Sequence, residues 1–140
     1  MYEYRIENIR VIDGDTVDVD IDLGFGIWMR KQRIRIYNID TPESRTKDEV
    51  EKVFGIAAKK RLQELLSIDG EIIFRSIKDT RGKFGRILGD FLIDDLSNTC
   101  GDILCMEGHA VRYHGQNKDD IQEEHEKNRK KLIAEGKVEL

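Results

Sequence analysis

Three short segments of this chain carry the side chains that could perform hydrolytic chemistry. They are an acidic turn at residues 13–16, a run at residues 35–43 and a third segment at residues 83–86. Phosphodiester hydrolysis needs an activated water, neutralisation of charge on the phosphate oxygens and help for the leaving group. The segments supply several carboxylates and two arginines, a combination that indicates a metal-dependent phosphodiesterase.

The carboxylates divide into candidate metal ligands and a candidate base. Asp15, Asp40 and the Thr41 carbonyl are hard oxygen ligands of the kind that calcium and magnesium prefer. Such a site keeps several water molecules, one of which could attack a phosphate. Glu43 follows Asp40 by three residues and could orient or deprotonate that water.

Arg35 and Arg86 offer planar guanidinium groups that match the geometry of phosphate oxygens. Taken singly, each segment also has an ordinary structural explanation. Residues 13–15 are typical of a turn, residues 40–43 could cap a helix, and an arginine on a strand is commonly solvated. The chemical interpretation therefore depends on the three segments occurring together.

The order of these segments resembles the staphylococcal nuclease (thermonuclease) family. That family has the motif Asp-Gly-Asp-Thr, here residues 13–16, and then an arginine followed by Asp-Thr-Pro-Glu, here Arg35 and residues 40–43. Its third motif is an aromatic residue with Gly-Arg, here residues 84–86. The resemblance extends from about residue 11 to residue 113, with a similar charged helix beyond.

The resemblance implies a five-stranded OB-fold Greek-key barrel with three helices, a mainly β, mixed α+β architecture. It also implies an endonuclease that cleaves DNA and RNA and depends on one calcium ion. Asp15, Asp40 and the Thr41 carbonyl would hold the calcium. Glu43 would act as the general base.

The substrate contacts are implied by the same resemblance. Arg35 and Arg86 would bind the scissile phosphate, and Arg86 would also assist the leaving oxygen. Lys83, Phe84 and Tyr113 would bind the nucleotide. Phe84 stands where the family has a tyrosine, so the hydroxyl of that tyrosine is missing here.

A catalytically inactive OB-type module that binds nucleic acid or protein is the alternative function. Such modules keep the barrel and lose the acidic set, whereas this chain keeps the complete set of candidate catalytic residues. The sequence therefore favours the enzyme. We expect DNA and RNA as substrates, a monomer, and no protein or membrane partner.

Acidic residues outnumber basic ones, 28 to 24, giving a net charge of −4 over 140 residues. This balance argues against capture of nucleic acid by bulk charge, but a bound cation would supply local positive charge. Asp18, Asp20 and Asp22 alternate with aliphatic residues, so we expect them on the solvent-facing side of a strand rather than in a calcium loop.

Hydrophobic periodicity predicts five strands and three helices in one domain spanning residues 1–140. The predicted strands cover residues 2–13, 17–23, 27–39, 72–78 and 86–93. The apolar alternation changes phase near Lys31, which predicts a bulge. The predicted helices cover residues 50–66, the segment from the capping residue Thr99 to Gly108, and a charged surface helix at 118–135.

The remaining reactive side chains are given no catalytic role. Cys100 and Cys105 lie five residues apart on one predicted helix, so they face different directions and should remain reduced thiols. His109, His114 and His125 lack triad spacing and are predicted to be surface or capping residues. No apolar run resembles a signal or a membrane span, so we expect a cytoplasmic protein, or a secreted one if a signal was removed.

Overall fold

Five strands of this protein close into a barrel, with three helices packed around it. The computed structural model describes residues 2–81, 86–93 and 97–140, without the side chains of residues 78–81. The strands are β1 (Glu3–Asp13), β2 (Thr16–Asp22), β3 (Trp28–Ile36), β4 (Ile39–Asp40), β5 (Ile72–Arg81), β6 (Ile87–Ile93) and β7 (Val111–Arg112). The helices are α1 (Glu49–Leu65), α2 (Cys100–Glu107) and α3 (Lys118–Ala134).

The barrel closes in the order β1-β2-β3-β6-β5, and β4 pairs with β7 in a separate two-stranded sheet. Inward-facing positions of β2 and β3 alternate with outward ones, as the sequence pattern predicted. The central core residues include Val17, Ile34, Ile36, Phe74 and Phe91, each at most 1% exposed. The predicted OB-type barrel with three helices is confirmed.

Asp20 contradicts the prediction that the alternating aspartates face solvent. Its carboxylate is buried and accepts hydrogen bonds from Asn8 Nδ2 and from the Lys31 amide, each at 2.7 Å. Asn8 and Lys31 both have positive φ, 54° and 52°, and they lie where the register of β1 and β3 shifts against β2. The Asn8 contact is the largest influence that lowers the pKa of Asp20. The predicted bulge at Lys31 is confirmed, and the buried Asp20 binds its amide.

The predicted strand over residues 27–39 is wrong at its end. β3 stops at Ile36, and Asn38 adopts a left-handed conformation with φ of 61°. A strand cannot remain extended through such a residue, so Ile39 and Asp40 pair instead with Arg112 and Val111 of β7. Asp40 therefore stands on the small sheet beside the barrel.

Both ends of α2 follow the predicted capping signals. Thr99 accepts a hydrogen bond from the Asp102 amide, and the Asp102 carboxylate accepts one from the Thr99 amide, which completes a capping box. Gly108 ends the helix with φ of 90°. Among the residues that the structure describes, no helix is long and apolar enough to cross a membrane.

The two cysteines on α2 are unpaired, as predicted. Cys100 is fully buried, and Cys105 is half-buried. Burial raises the pKa of both thiols, so they remain protonated and serve as small core side chains.

A second apolar cluster lies apart from the barrel core and holds α3. It comprises Phe54 of α1, Leu132 of α3 and Val138, and it is called the Phe54 cluster below. Most of α3 is charged and exposed, and His125 and Leu132 are its buried residues. They are seven residues apart and so share one face of the helix.

Candidate active site

The parallel pairing of β3 with β6 brings the two candidate arginines to one side of the barrel. Ile34 lies opposite Ile87, and Arg35 lies opposite Leu88. Ile34 points into the core, so Arg35 and Leu88 point outward. Arg86, two residues before Leu88, shares their parity and reaches the same outer surface.

The hairpin between β1 and β2 places Asp15 beside Arg35. The pairing of Thr16 with Arg35 sets this register. Asp15 Oδ2 lies 3.3 Å from Arg35 Nη1, and Asp15 Oδ1 accepts a hydrogen bond from Thr16 Oγ1 at 2.9 Å. The Asp15 and Arg35 side chains are only 14% and 20% exposed, so their charges interact in a partly desolvated site.

Backbone carbonyls hold the Arg35 guanidinium in a fixed orientation. Its Nη1 donates to the Ile36 carbonyl and its Nη2 to the Ile39 carbonyl, both at 2.8 Å. These two hydrogen bonds engage two of the five N–H groups of a guanidinium. The Ile39 contact also ties Arg35 to the residue that precedes Asp40.

The segment after β4 is anchored at both sides of Glu43. The Ser44 amide donates to Asp13 Oδ1 at 3.2 Å, and the Glu43 amide donates to Glu51 Oε2 at 3.0 Å. Glu51 belongs to the first turn of α1 and was not identified from the sequence, where it is simply an acidic residue near a helix start. The Glu43 side chain itself is exposed.

Two glycines allow α1 to approach the acidic segments closely. A Cβ atom on Gly55 would lie 2.1 Å from the Glu43 carbonyl oxygen and 2.6 Å from the Ser44 amide nitrogen. A Cβ atom on Gly14 would lie 2.8 Å from Cβ of Ala58 in the same helix. Because real Cβ atoms do not approach this closely, both positions require glycine.

Described residues from each of the three sequence segments, Arg86 in the case of the third, line one cavity of about 410 Å³. Its described lining residues are Asp13, Asp15, Thr16, Arg35, Asp40, Thr41, Glu43, Glu51 and Arg86. Five carboxylates thus face two guanidiniums, an imbalance that favours a bound cation. Oxygen donors of this kind fit calcium or magnesium better than a soft metal.

The carboxylates do not form a complete metal cage. Among the described residues, no three Asp, Glu, His or Cys side chains group closely enough to hold a metal ion. The donors that the sequence suggested, two carboxylates and the Thr41 carbonyl, leave further coordination positions for water. Calcium and magnesium accept such mixed sets of ligands.

A neighbouring cavity of about 380 Å³ contains Tyr113, which is 46% exposed. It lies between the end of β7 and α3, and it shares Asp40 and Thr41 with the first cavity. Two cationic residues, Lys118 and Arg129, also line it. Of the other predicted nucleotide contacts, Lys83 and Phe84 lie outside the described residues.

His125 contradicts its prediction as a surface or capping residue. It is buried on α3, and its Nε2 lies 2.7 Å from Asp40 Oδ2, a contact between residues 85 apart in sequence. His109 is also buried, which lowers its pKa, whereas His114 is exposed. The seven-residue spacing of His125 and Leu132 was the sequence signal that could have identified this buried face.

Fold and site together define a class of protein, an OB-type barrel domain with a carboxylate and arginine site on its outer surface. Residues 33–137 match the family described as staphylococcal nuclease homologues. This match covers well over half of the chain, so the chain belongs to that family.

Curated relatives agree with this assignment at moderate identity. Endonuclease YncB of Bacillus subtilis (strain 168) is 33% identical over 102 residues, covering 72% of this chain and 44% of YncB. Endonuclease YhcR of the same strain is 28% identical over 109 residues, covering 74% of this chain and 8% of YhcR. Protein ParB of Escherichia coli is 34% identical over 87 residues, covering 62% of this chain and 41% of ParB. The chain therefore spans less than half the length of each of these relatives.

Proposed function

We propose that this chain is a calcium-dependent nuclease that hydrolyses internal phosphodiester bonds of DNA and RNA. The observation that carries this proposal is the single cavity that joins five carboxylates to Arg35 and Arg86. The names of two relatives, both endonucleases, support the same reaction class.

Asp15 and Asp40, with the Thr41 carbonyl, would hold one calcium ion in this cavity. When bound, the ion would supply charge neutralisation and a polarised water. Asp15 suits this role because its carboxylate is largely shielded from solvent and lies 3.3 Å from the Arg35 guanidinium, which fixes its position. Asp40 suits it because its side chain remains 39% exposed beside the same cavity.

Glu43 would accept the proton of the attacking water. Its carboxylate is exposed, whereas its backbone is fixed by the Glu51 contact and by the neighbouring Ser44 contact with Asp13. A fixed backbone holds the residue at a constant distance from the phosphate, and the exposed carboxylate can then reach a water.

Arg35 and Arg86 would donate hydrogen bonds to the oxygens of the scissile phosphate. The negative charge on these oxygens increases in the transition state, so fixed cationic donors accelerate the step. The two carbonyl contacts of Arg35 orient its guanidinium before substrate arrives. Arg86 would also stabilise the departing oxygen.

The nucleotide would extend from the catalytic cavity toward Tyr113. Because the cavity that contains Tyr113 shares Asp40 and Thr41 with the catalytic one, a strand bound at the arginines can reach the aromatic ring. Base stacking on a tyrosine is tolerant of sequence and occurs with both DNA and RNA. Lys83 and Phe84 remain proposed nucleotide contacts on the strength of the family resemblance.

Cleavage of a covalently closed circular DNA tests this function, because only an internal cut can open the circle. We expect opening in calcium, weaker opening in magnesium, and none with chelator, with the same pattern for single-stranded DNA and RNA. Glu43→Gln protein purified in parallel controls for contaminating nuclease. Undiminished cleavage in chelator would exclude the metal mechanism. Binding of nucleic acid without any cleavage would instead favour the inactive module.

A further inference from the structure

Asp40 stands between the two cavities, and a side chain of α3 contacts its carboxylate. It lines both the catalytic cavity and the neighbouring one, whereas His125 lines the neighbouring cavity and not the catalytic one. His125 Nε2 lies 2.7 Å from Asp40 Oδ2. The Oδ2 atom of Asp40 is therefore engaged by His125 of α3. The second carboxylate oxygen, Oδ1, is the one that we consider for cation binding.

We propose that His125 is a positioning residue that orients the Asp40 carboxylate for cation binding, an inference that rests on the proposed calcium site. An ionised carboxylate only accepts hydrogen bonds, so the contact requires a proton on Nε2 of His125. A donor on one oxygen of a ligating carboxylate restricts its rotation and leaves the other oxygen for the metal. Such outer partners commonly influence metal affinity strongly.

Both partners of this contact are fixed by their own elements. The backbone of Asp40 is paired with Val111 in the sheet of β4 and β7. The His125 side chain is only 9% exposed, and Leu132 on the same helix face is held in the Phe54 cluster. A contact between two fixed groups costs little side-chain entropy, unlike an exposed ion pair.

The competing explanation is that the His125 ring only fills space beneath Asp40. A near-isosteric pair of variants separates the two explanations. His125→Gln places an amide donor close to the position of Nε2, whereas His125→Met has similar length and no donor. Gln122→Met is the matched control, because exposed Gln122 lines the same cavity.

The measurement is calcium affinity by titration calorimetry on the folded chain, with thermal unfolding in chelator to verify the fold. We expect His125→Met to weaken calcium binding by roughly tenfold or more, as loss of an outer partner typically does. His125→Gln and Gln122→Met should stay within about threefold of the unchanged protein. For the two His125 variants, single-turnover cleavage should follow the same order, with rescue by glutamine.

Each other outcome overturns the inference in an identifiable way. Wild-type affinity in His125→Met, or equal weakening in the Gln and Met variants, would show that the donor has no positioning role. If His125→Met does not fold, His125→Phe replaces it, and failure of both to fold would assign His125 to the core. Absence of calcium binding in the unchanged protein would overturn the proposed metal site as well.

Discussion

Glu43 differs from the other described carboxylates of the proposed catalytic cavity because its side chain is exposed. Glu43→Gln keeps its shape and removes its basicity. We expect kcat to fall by about 10²–10⁴-fold with little change in calcium affinity. Single-turnover cleavage and calcium titration measure the two effects, with Glu123→Gln on exposed α3 as control. If Glu43→Gln kept the wild-type kcat, the group that accepts the proton would have to be one other than Glu43.

The prediction for Arg35 follows from its guanidinium, which donates to two backbone carbonyls and would also bind the scissile phosphate. In Arg35→Lys a single ammonium cannot reach the Ile36 and Ile39 carbonyls together. We expect kcat to fall by roughly 10²–10³-fold, while calcium still binds. Arg33→Lys is the matched control, because Arg33 shares the outer face of β3 and pairs with Asp18 instead. An equal decrease in kcat in Arg35→Lys and Arg33→Lys would show that Arg35 has no specific role in catalysis.

At the scale of elements, the contact between α1 and the Glu43 segment depends on Gly55. In an ordinary helix interior, Gly→Ala stabilises by about 1 kcal/mol. Here the new methyl group would overlap the Glu43 carbonyl, so we expect Gly55→Ala to destabilise by roughly 1–3 kcal/mol and to lower kcat. Urea unfolding and cleavage assays measure both, with exposed Ile56→Ala as the neutral control. Increased stability would mean that the segment moves aside without strain.

Local signals predicted the elements of this protein well, and contacts between distant segments were missed. The capping box at Thr99 and the bulge at Lys31 each depend on residues close in sequence. By contrast, the pairing of β4 with β7 joins segments about 70 residues apart, and no local pattern marks it. Asp20 and His125 were misplaced for the same reason. Their hydrogen-bond partners come from other elements, and their own sequence neighbours are charged or alternate as on a solvent-facing surface.

The three sequence segments contain residues that the fold brings together in one cavity, the proposed catalytic cavity. Asp15, Asp40 and Arg35 were identifiable because their types and order suit one reaction, even though they lie on different elements that meet only in the fold. Glu51 was not identifiable from the sequence, because a glutamate in the first turn of a helix commonly serves helix stability alone. Its contact with the Glu43 amide is visible only in three dimensions.

At the scale of the whole molecule, stability should fall as the solution is acidified. Burial lowers the pKa of His109 below its ordinary value of 6.5, so the unfolded chain binds that proton first and stability decreases as pH falls below about 6.5. Hydrogen bonds from arginines also lower the pKa of Asp18, Asp102 and Glu107, whose contributions are lost at still lower pH.

Urea unfolding at pH 7 and pH 5 measures this dependence on His109. We expect His109→Phe to lose less stability between the two values than the unchanged protein does, whatever its stability at pH 7. His114→Gln alters an exposed histidine and should retain the full decrease. An identical decrease in His109→Phe would assign the titration to another group.

The Phe54 cluster gives the molecule a second, smaller unit of packing beside the barrel core. Beyond it, the described attachments of α3 include hydrogen bonds from Asn128 to the Ala110 carbonyl and from Lys131 to the Met106 carbonyl. Few buried contacts mean a low free energy of local opening. We therefore expect α3, docked in the native state, to open transiently while the barrel remains folded.

This transient opening would link the helix to the proposed calcium site in both directions. If docked His125 strengthens calcium binding, reciprocity requires calcium to strengthen docking by the same factor. Amide hydrogens of α3 should then exchange more slowly with deuterium when calcium saturates the site. The limiting retardation should equal the factor by which His125→Met weakens calcium binding. In His125→Met itself, calcium should leave α3 exchange almost unchanged, because the connection between helix and ion has been removed.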